Sequence, residues 1–360
     1  MKINRNLRAV FAIIFVTAIF FATVAACSSN GGELIGISMP TRSSERWIKE
    51  GYYLKDLLEE RGLKVDLQFA EDDIPTQRDQ IRTMIYNGAR VLVVAAIDAS
   101  VLSDTLEAAA KDGVHIIAYD RLLVDTESVS YYTSFDNVMV GQLQAESLLE
   151  GLKAHNSPSP WNIELFAGSP DDRNAYYVLQ GSMNVLQPYV DSGEIIIRSG
   201  QETQDEIGTL RWDGDTAQRR MSDILSTYYN EDTQIHGILS PFDNLSRGIV
   251  AALISFGYEV GTDEWPIITG QDAESASVAM IRDGAQYSTV FKDVRILARA
   301  ASEMIDDLLN GREPEINDVT SYHNNVFIVP SFIITPHIVT AENYIELIID
   351  TGYLTLADLD

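Results

Sequence analysis

Short apolar runs alternate with stretches of helical periodicity along most of the chain, and few folds accommodate that alternation. Strands are predicted over residues 34–40, 64–70, 91–97 and 114–120, and helices over 45–61, 76–87 and 99–111. In the first helix Trp47, Ile48, Tyr52, Leu54, Leu57 and Leu58 recur near helical spacing, and Gly62, Gly88 and Gly113 stand where the three helices should stop. Strands separated by such helices describe βαβ units and a parallel sheet, whose buried strands read as dense apolar runs. Residues 131–137 break the pattern and are read as the exit from this unit, followed by a helix over 138–152 and a polar loop over 155–160. A second series then starts, with strands at 163–167, 195–199, 235–239 and 266–269 and helices near 175–188, 215–229 and 244–256. The expected fold class is α/β, with two doubly wound, Rossmann-like parallel-sheet lobes. At 360 residues the chain is long enough for two full cores.

The amino-terminal stretch obeys different rules. Lys2, Arg5 and Arg8 precede an apolar run over 9–24, which Ala25-Ala26-Cys27 closes with small residues. This is the pattern of an export signal, and the run is shorter than the ~20 residues that a bilayer span takes. Val24-Ala25-Ala26-Cys27 resembles the bacterial lipobox, and Cys27 is the chain's only cysteine. No disulfide can form within one molecule, so the thiol is read as an acyl attachment point. Residues 1–26 are then a lipoprotein signal peptide and 27–32 a tether. The exported chain, periplasmic or cell-surface, is expected to touch the membrane only through the anchor on Cys27. With 53 acidic against 26 basic residues it carries a formal charge of −27, which repels phosphate backbones and makes nucleic acid an improbable partner.

Several chemistries lack their usual handles. No G-x-G-x-x-G follows the first strand, no G-x-x-x-x-G-K-[ST] occurs, and there is no G-x-S-x-G. His115, His155, His236, His323 and His337 show no metal-ligand spacing, so neither a cofactor nor a metal is expected. What remains is a set of polar and aromatic residues at the ends of predicted strands, where open α/β sheets bind ligands. The strand over 114–120 delivers Asp120 and Arg121, a hydroxyl acceptor beside a planar fork of donors. Arg46 and Trp47 open the first helix, and Asp98 follows the third strand. The second lobe offers Asp171-Asp172-Arg173-Asn174, Arg211-Trp212-Asp213, Asp243-Asn244 and Gln271-Asp272, and Lys292 follows a short strand over 287–291. Carboxylates at Asp120, Asp172, Asp243 and Asp272, donors at Arg46, Arg121, Asn174, Arg211, Gln271 and Lys292, and flat plates at Trp47 and Trp212 suit the hydroxyls and C–H faces of a neutral sugar.

These residues fall within longer motifs. They include Ser44-Glu45-Arg46-Trp47-Ile48, Ile117-Ala118-Tyr119-Asp120-Arg121-Leu122, Gly168-Ser169-Pro170-Asp171-Asp172, Gly208-Thr209-Leu210-Arg211-Trp212-Asp213, Leu239-Ser240-Pro241-Phe242-Asp243, Gly270-Gln271-Asp272-Ala273 and Tyr287-Ser288-Thr289-Val290-Phe291-Lys292-Asp293. In this order the chain resembles the type I periplasmic sugar-binding proteins, within them the xylose-binding and multiple-sugar-binding branch. The resemblance implies two lobes joined by a three-segment hinge, closing over a monosaccharide and read by an ABC permease in the membrane. It carries sugar contacts onto Arg46, Asp120, Arg121, Asp172, Asn174, Arg211, Asp243, Asp272 and Lys292, with Trp47 and Trp212 nearby, and assigns no catalytic residue. Three crossings suggest one lobe of 33–134 with 274–318, and a second of 135–273 with 319–360. Arg173 departs from the small polar residue expected of the family and is expected to influence which sugar fits.

The expected function is capture of an aldose such as glucose, galactose or xylose for an ABC importer. The alternative is a sugar or autoinducer-2 receptor acting through a chemoreceptor or sensor kinase. A glycosidase would need a carboxyl with a raised pKa, whereas these acids are paired with cations expected to lower it, so no enzyme is expected. A sugar-responsive repressor is disfavoured by the export signal and the lack of a basic headpiece.

Overall fold

The computed structural model describes residues 32–155, 158–230 and 232–360; the export signal and Cys27 lie outside the described residues. In the first lobe β1 (Leu34–Met39), β2 (Lys64–Phe69), β3 (Ala89–Val94), β4 (His115–Tyr119) and β5 (Tyr131–Phe135) alternate with α1 (Glu45–Glu60), α2 (Ile74–Tyr86) and α3 (Ser103–Lys111). The strands are parallel, and β1 lies between β2 and β3, with Ile35 opposite both Val65 and Val91. Because the chain winds to one side of β1 and then to the other, a crevice opens beyond the carboxyl ends of β1 and β3. Apolar residues fill both faces of the sheet. Ile35, Ile37, Val91, Val93 and Ile117 pack on one side, and Leu92, Val94, Ile116 and Ala118 on the other.

The second lobe repeats the plan. α4 (Asn137–Ala154), β6 (Trp161–Leu165), α5 (Arg173–Ser192), β7 (Ile195–Ile197), α6 (Gln204–Ile207), α7 (Gly214–Tyr228), β8 (Gly237–Leu239), α8 (Asp243–Phe256) and β9 (Ile267–Ile268) build a parallel sheet in the order β7-β6-β8-β9. After α9 (Ser275–Arg282), β10 (Ser288–Phe291) extends this lobe, with Tyr287 N donating to Ile268 O at 2.9 Å and Val290 N to Gly270 O at 3.0 Å. α10 (Val294–Leu309) returns to the first lobe, where Leu297, Ala298, Ala301 and Ile305 join the core of Leu54 and Leu58. β11 (Ser331–Ile334) completes the first sheet in parallel beside β5, and β12 (His337–Thr340) pairs antiparallel with β10.

The predicted division of the chain therefore needs correcting at two places. Residues 274–291 belong with the second lobe, where Val278 and Phe291 share a core with Val339 and Ile348. Residues 319–334 belong with the first, where Tyr322 packs edge-on against Tyr132 at 5.2 Å and Asn324 Nδ2 donates to Thr126 O at 2.8 Å. The chain passes between the lobes at Asp136, at Lys292-Asp293 and at Thr335-Pro336. At the first two crossings an aspartate caps the next helix: Asp136 accepts from Met139 N at 2.9 Å and Asp293 from Arg295 N at 3.0 Å. The segment 131–137, read as an exit, contains β5 before that exit.

Candidate ligand-binding site

The site assembles where strands end and helices begin. Arg46 lies in the first turn of α1, 4% exposed. Its Nε donates to Glu50 Oε1 at 2.7 Å, one terminal nitrogen pairs with Asp120, and the other reaches Asp272 Oδ1 at 3.5 Å across the cleft. Burial works against the Arg46 charge, but Asp120, Glu50 and Asp272 outweigh it and hold the pKa well above its ordinary value. Asp120 follows β4 with φ 59°, and its backbone carbonyl accepts from Tyr132 at 2.7 Å, Ser134 at 2.8 Å and Asn174 Nδ2 at 2.9 Å. Burial opposes its charge too, yet Arg46 and Lys292 keep its pKa below the ordinary value.

The second lobe meets these groups directly. Arg121 Nε pairs with Asp172 Oδ2 at 2.9 Å across the cleft, and Asp172 caps α5 by accepting from Asn174 N at 2.9 Å. Trp212 Nε1 donates to the same carboxylate at 3.2 Å, and Arg211 pairs with Asp171. Lys292, at the second crossing, holds Asp272 Oδ1 at 2.9 Å. Trp212 stands edge-on to Phe242 with ring centroids 5.9 Å apart, while Trp47 lies under the guanidinium groups of Arg46 at 4.8 Å and Arg121 at 5.3 Å. Gly168 makes room for the Trp212 ring, because a Cβ there would collide with it. Asp120, Arg211, Trp212 and Asp272 all have positive φ, at 59°, 60°, 55° and 92°. Such backbone costs non-glycine residues about 1–3 kcal/mol each and clusters at ligand sites.

Together they line a cavity of about 50 Å³ between the lobes. Arg46, Arg121, Arg211 and Lys292 line it against Asp72, Asp120, Asp172 and Asp272, so formal charges balance and a neutral ligand is favoured. Among the described residues no group of three or more His, Cys, Asp or Glu is placed to hold a metal ion. Residues 35–313 match the periplasmic binding protein domain. The chain belongs to the periplasmic binding protein family. The multiple sugar-binding periplasmic receptor ChvE of Rhizobium radiobacter is 47% identical to it over 319 residues, 89% of this chain and 90% of the receptor. The D-xylose-binding periplasmic protein of Escherichia coli is 33% identical, over 94% of this chain and 95% of its own length. Among solved structures, an ABC transporter solute-binding protein from Clostridium phytofermentans with bound β-D-glucose superposes with a TM-score of 0.87. It is 41% identical, covering 91% of this chain and 100% of that one.

In this periplasmic binding protein the cavity is lined by Arg46, Trp47, Asp120, Arg121, Asp172, Asn174, Arg211, Trp212, Asp272 and Lys292, all predicted as contacts. Asp243 is the exception. It lies fully buried behind the wall, accepting from Gln286 Nε2 and Glu274 N, each at 2.9 Å, and burial with the nearby Glu274 charge pushes its pKa to about 8. Its neighbour Asn244 lines the cavity instead, because the first turn of α8 sends consecutive side chains in different directions. Arg173 does not line the cavity either. Its guanidinium lies 5.8 Å and 5.6 Å from the ring centroids of Tyr176 and Tyr177, so the influence on the sugar expected of it has no contact to act through. Asp98 closes a local turn, accepting from Ser100 N at 2.9 Å.

Asp72 and Asn137 also line the cavity and were missed, since Asp72 stands in an acidic run after the strand predicted over 64–70 and Asn137 lies where the alternation breaks. The expectation that cations depress the site acids holds for Asp120 but not for Asp172, whose pKa burial raises despite Arg121.

Proposed function

We propose that this binding protein captures a neutral monosaccharide, an aldose such as glucose, galactose or xylose, between its two lobes and delivers it to an ABC importer. The observation that carries the reading is the charge-balanced cavity built from both lobes, with Trp47, Trp212 and Phe242 among its walls. Carboxylates and guanidinium groups address hydroxyls without requiring a charge on the ligand, while aromatic faces cover C–H surface. The similarity to proteins that bind multiple sugars, D-xylose and β-D-glucose supports it.

Closure is the output. A sugar held by both lobes favours the state in which Arg121 meets Asp172 and Asn174 meets Asp120, and the shift in population comes from that differential affinity. A permease would read the closed form, and a chemoreceptor or sensor kinase would read the same form. The similarity to a relative named as a receptor keeps that second reading in view. Cys27 is the proposed lipid attachment point that would hold the exported chain at the membrane.

The test is calorimetric titration of the chain begun at Ser28 with D-glucose, D-galactose, D-xylose, L-arabinose and D-ribose. Saturable binding of at least one sugar, recovered chemically unchanged, is expected. Absence of binding to all of them overturns the monosaccharide reading.

A further inference from the structure

Most polar atoms in the cavity wall are already committed to one another. Asp120 serves Arg46 and Asn174, Asp172 serves Arg121, Trp212 and Asn174 N, and Asp272 serves Arg46 and Lys292. Among the described residues two buried side-chain atoms of the cavity lining have no hydrogen-bond partner in the protein: Asn137 Oδ1 and Gln271 Oε1. The two residues are 1% and 5% exposed. A buried carbonyl oxygen without a donor is costly, and such atoms are paired in the great majority of native structures.

The orientation of Asn137 is fixed by its neighbour. Ser134 Oγ donates its only hydrogen to Asp120 O at 2.8 Å, so it can only accept from Asn137, whose Nδ2 lies 3.4 Å away. The amide nitrogen therefore faces Ser134, and the carbonyl oxygen is the unpaired end. Asn137 opens α4 immediately after the first crossing, and Gln271 follows β9 immediately before Asp272, so the two acceptors come from widely separated elements.

Resting on the monosaccharide reading above, we propose that Asn137 Oδ1 and Gln271 Oε1 each accept a hydrogen bond from a ligand hydroxyl and so determine which sugars are retained. An amide oxygen can only accept, so a ligand hydroxyl satisfies it and a deoxy position leaves it unpaired. A site built to bond a hydroxyl rejects the analogue lacking it, because the buried acceptor is then left unpaired.

The experiment titrates wild type, Asn137→Leu and Gln271→Met with D-glucose, or with whichever aldose of the panel binds most tightly, and with its monodeoxy analogues. Each variant is expected to bind the parent sugar about 10- to 100-fold more weakly. For one monodeoxy analogue per variant that loss should vanish, because the lost hydroxyl and the lost acceptor are partners. Unchanged affinity for the parent sugar, or an equal loss on every analogue, overturns the assignment. Asn137→Ala and Gln271→Glu, the latter retaining acceptor oxygens and expected to keep the discrimination, decide the matter if the larger replacements do not fold. A wild-type chain that binds none of the sugars overturns the monosaccharide reading instead.

Discussion

Asp120 shows how one residue can tie together backbone, charge and ligand cleft. Its φ of 59° turns the chain at the end of β4, which leaves its carbonyl to three donors and its carboxylate to Arg46 and Asn174. Asp120→Asn keeps the size but removes the charge facing Arg46, which is itself buried. Sugar affinity should fall by about 1–3 kcal/mol, measurable by calorimetry, because a buried cation is left partly uncompensated. Wild-type affinity would show that this strand end is not part of the site. The pair Asp243 and Asn244 marks the resolution of sequence reading at this scale. The strand end was visible, but which of two adjacent polar residues faces the cavity depends on the backbone direction in the first turn of α8.

At the scale of elements, the amino termini of α1 and α9 meet across the cleft. Ser44 Oγ donates to Glu274 Oε1 at 2.9 Å, and Glu45 Oε2 accepts from Ser275 N at 3.1 Å and Ser275 Oγ at 2.8 Å. A carboxylate of one lobe thus satisfies the free backbone N–H at the start of a helix in the other, where the helix dipole also favours negative charge. Glu45 does not line the cavity, so its contribution should fall on closure rather than on the choice of sugar. Glu45→Ala should weaken binding of every sugar by one common factor, about 2- to 30-fold, taking the loss of a helix cap at ~0.5–2 kcal/mol. Titrating the variant with the sugar panel checks this, and a changed order of preference among sugars would count against it.

For the whole molecule, the two lobes each bury a carboxylate whose pKa is raised. Burial pushes Asp243 in the second lobe to about 8, and Glu50 in the first to about 7 against the pull of Arg46. Ionisation of these groups is favoured less in the folded chain than in the unfolded one, so the folded state holds protons that the unfolded state has released. Their contribution to stability is greatest below the ordinary carboxylate pKa and is lost as pH rises through about 7 to 8. Melting temperatures followed from about pH 5 to about pH 9 should therefore fall towards the alkaline end, and Asp243→Asn should flatten the part of that fall near 8. An identical profile for the variant would remove Asp243 as its source.

The sequence by itself determined the alternation of strand and helix, the presence of two lobes, and most of the polar residues that meet in the cleft. Those features are written in local periodicity, in glycine stops and in polar residues placed directly after buried strands. Tertiary structure alone decided that β10 joins the second lobe and β11 the first, because a strand of four residues carries no local mark of its partner. It also left Asn137 and Gln271 with unpaired carbonyls in the cavity wall. A side chain's direction and the satisfaction of its hydrogen bonds are set by residues far away in the chain, and no local pattern encodes them.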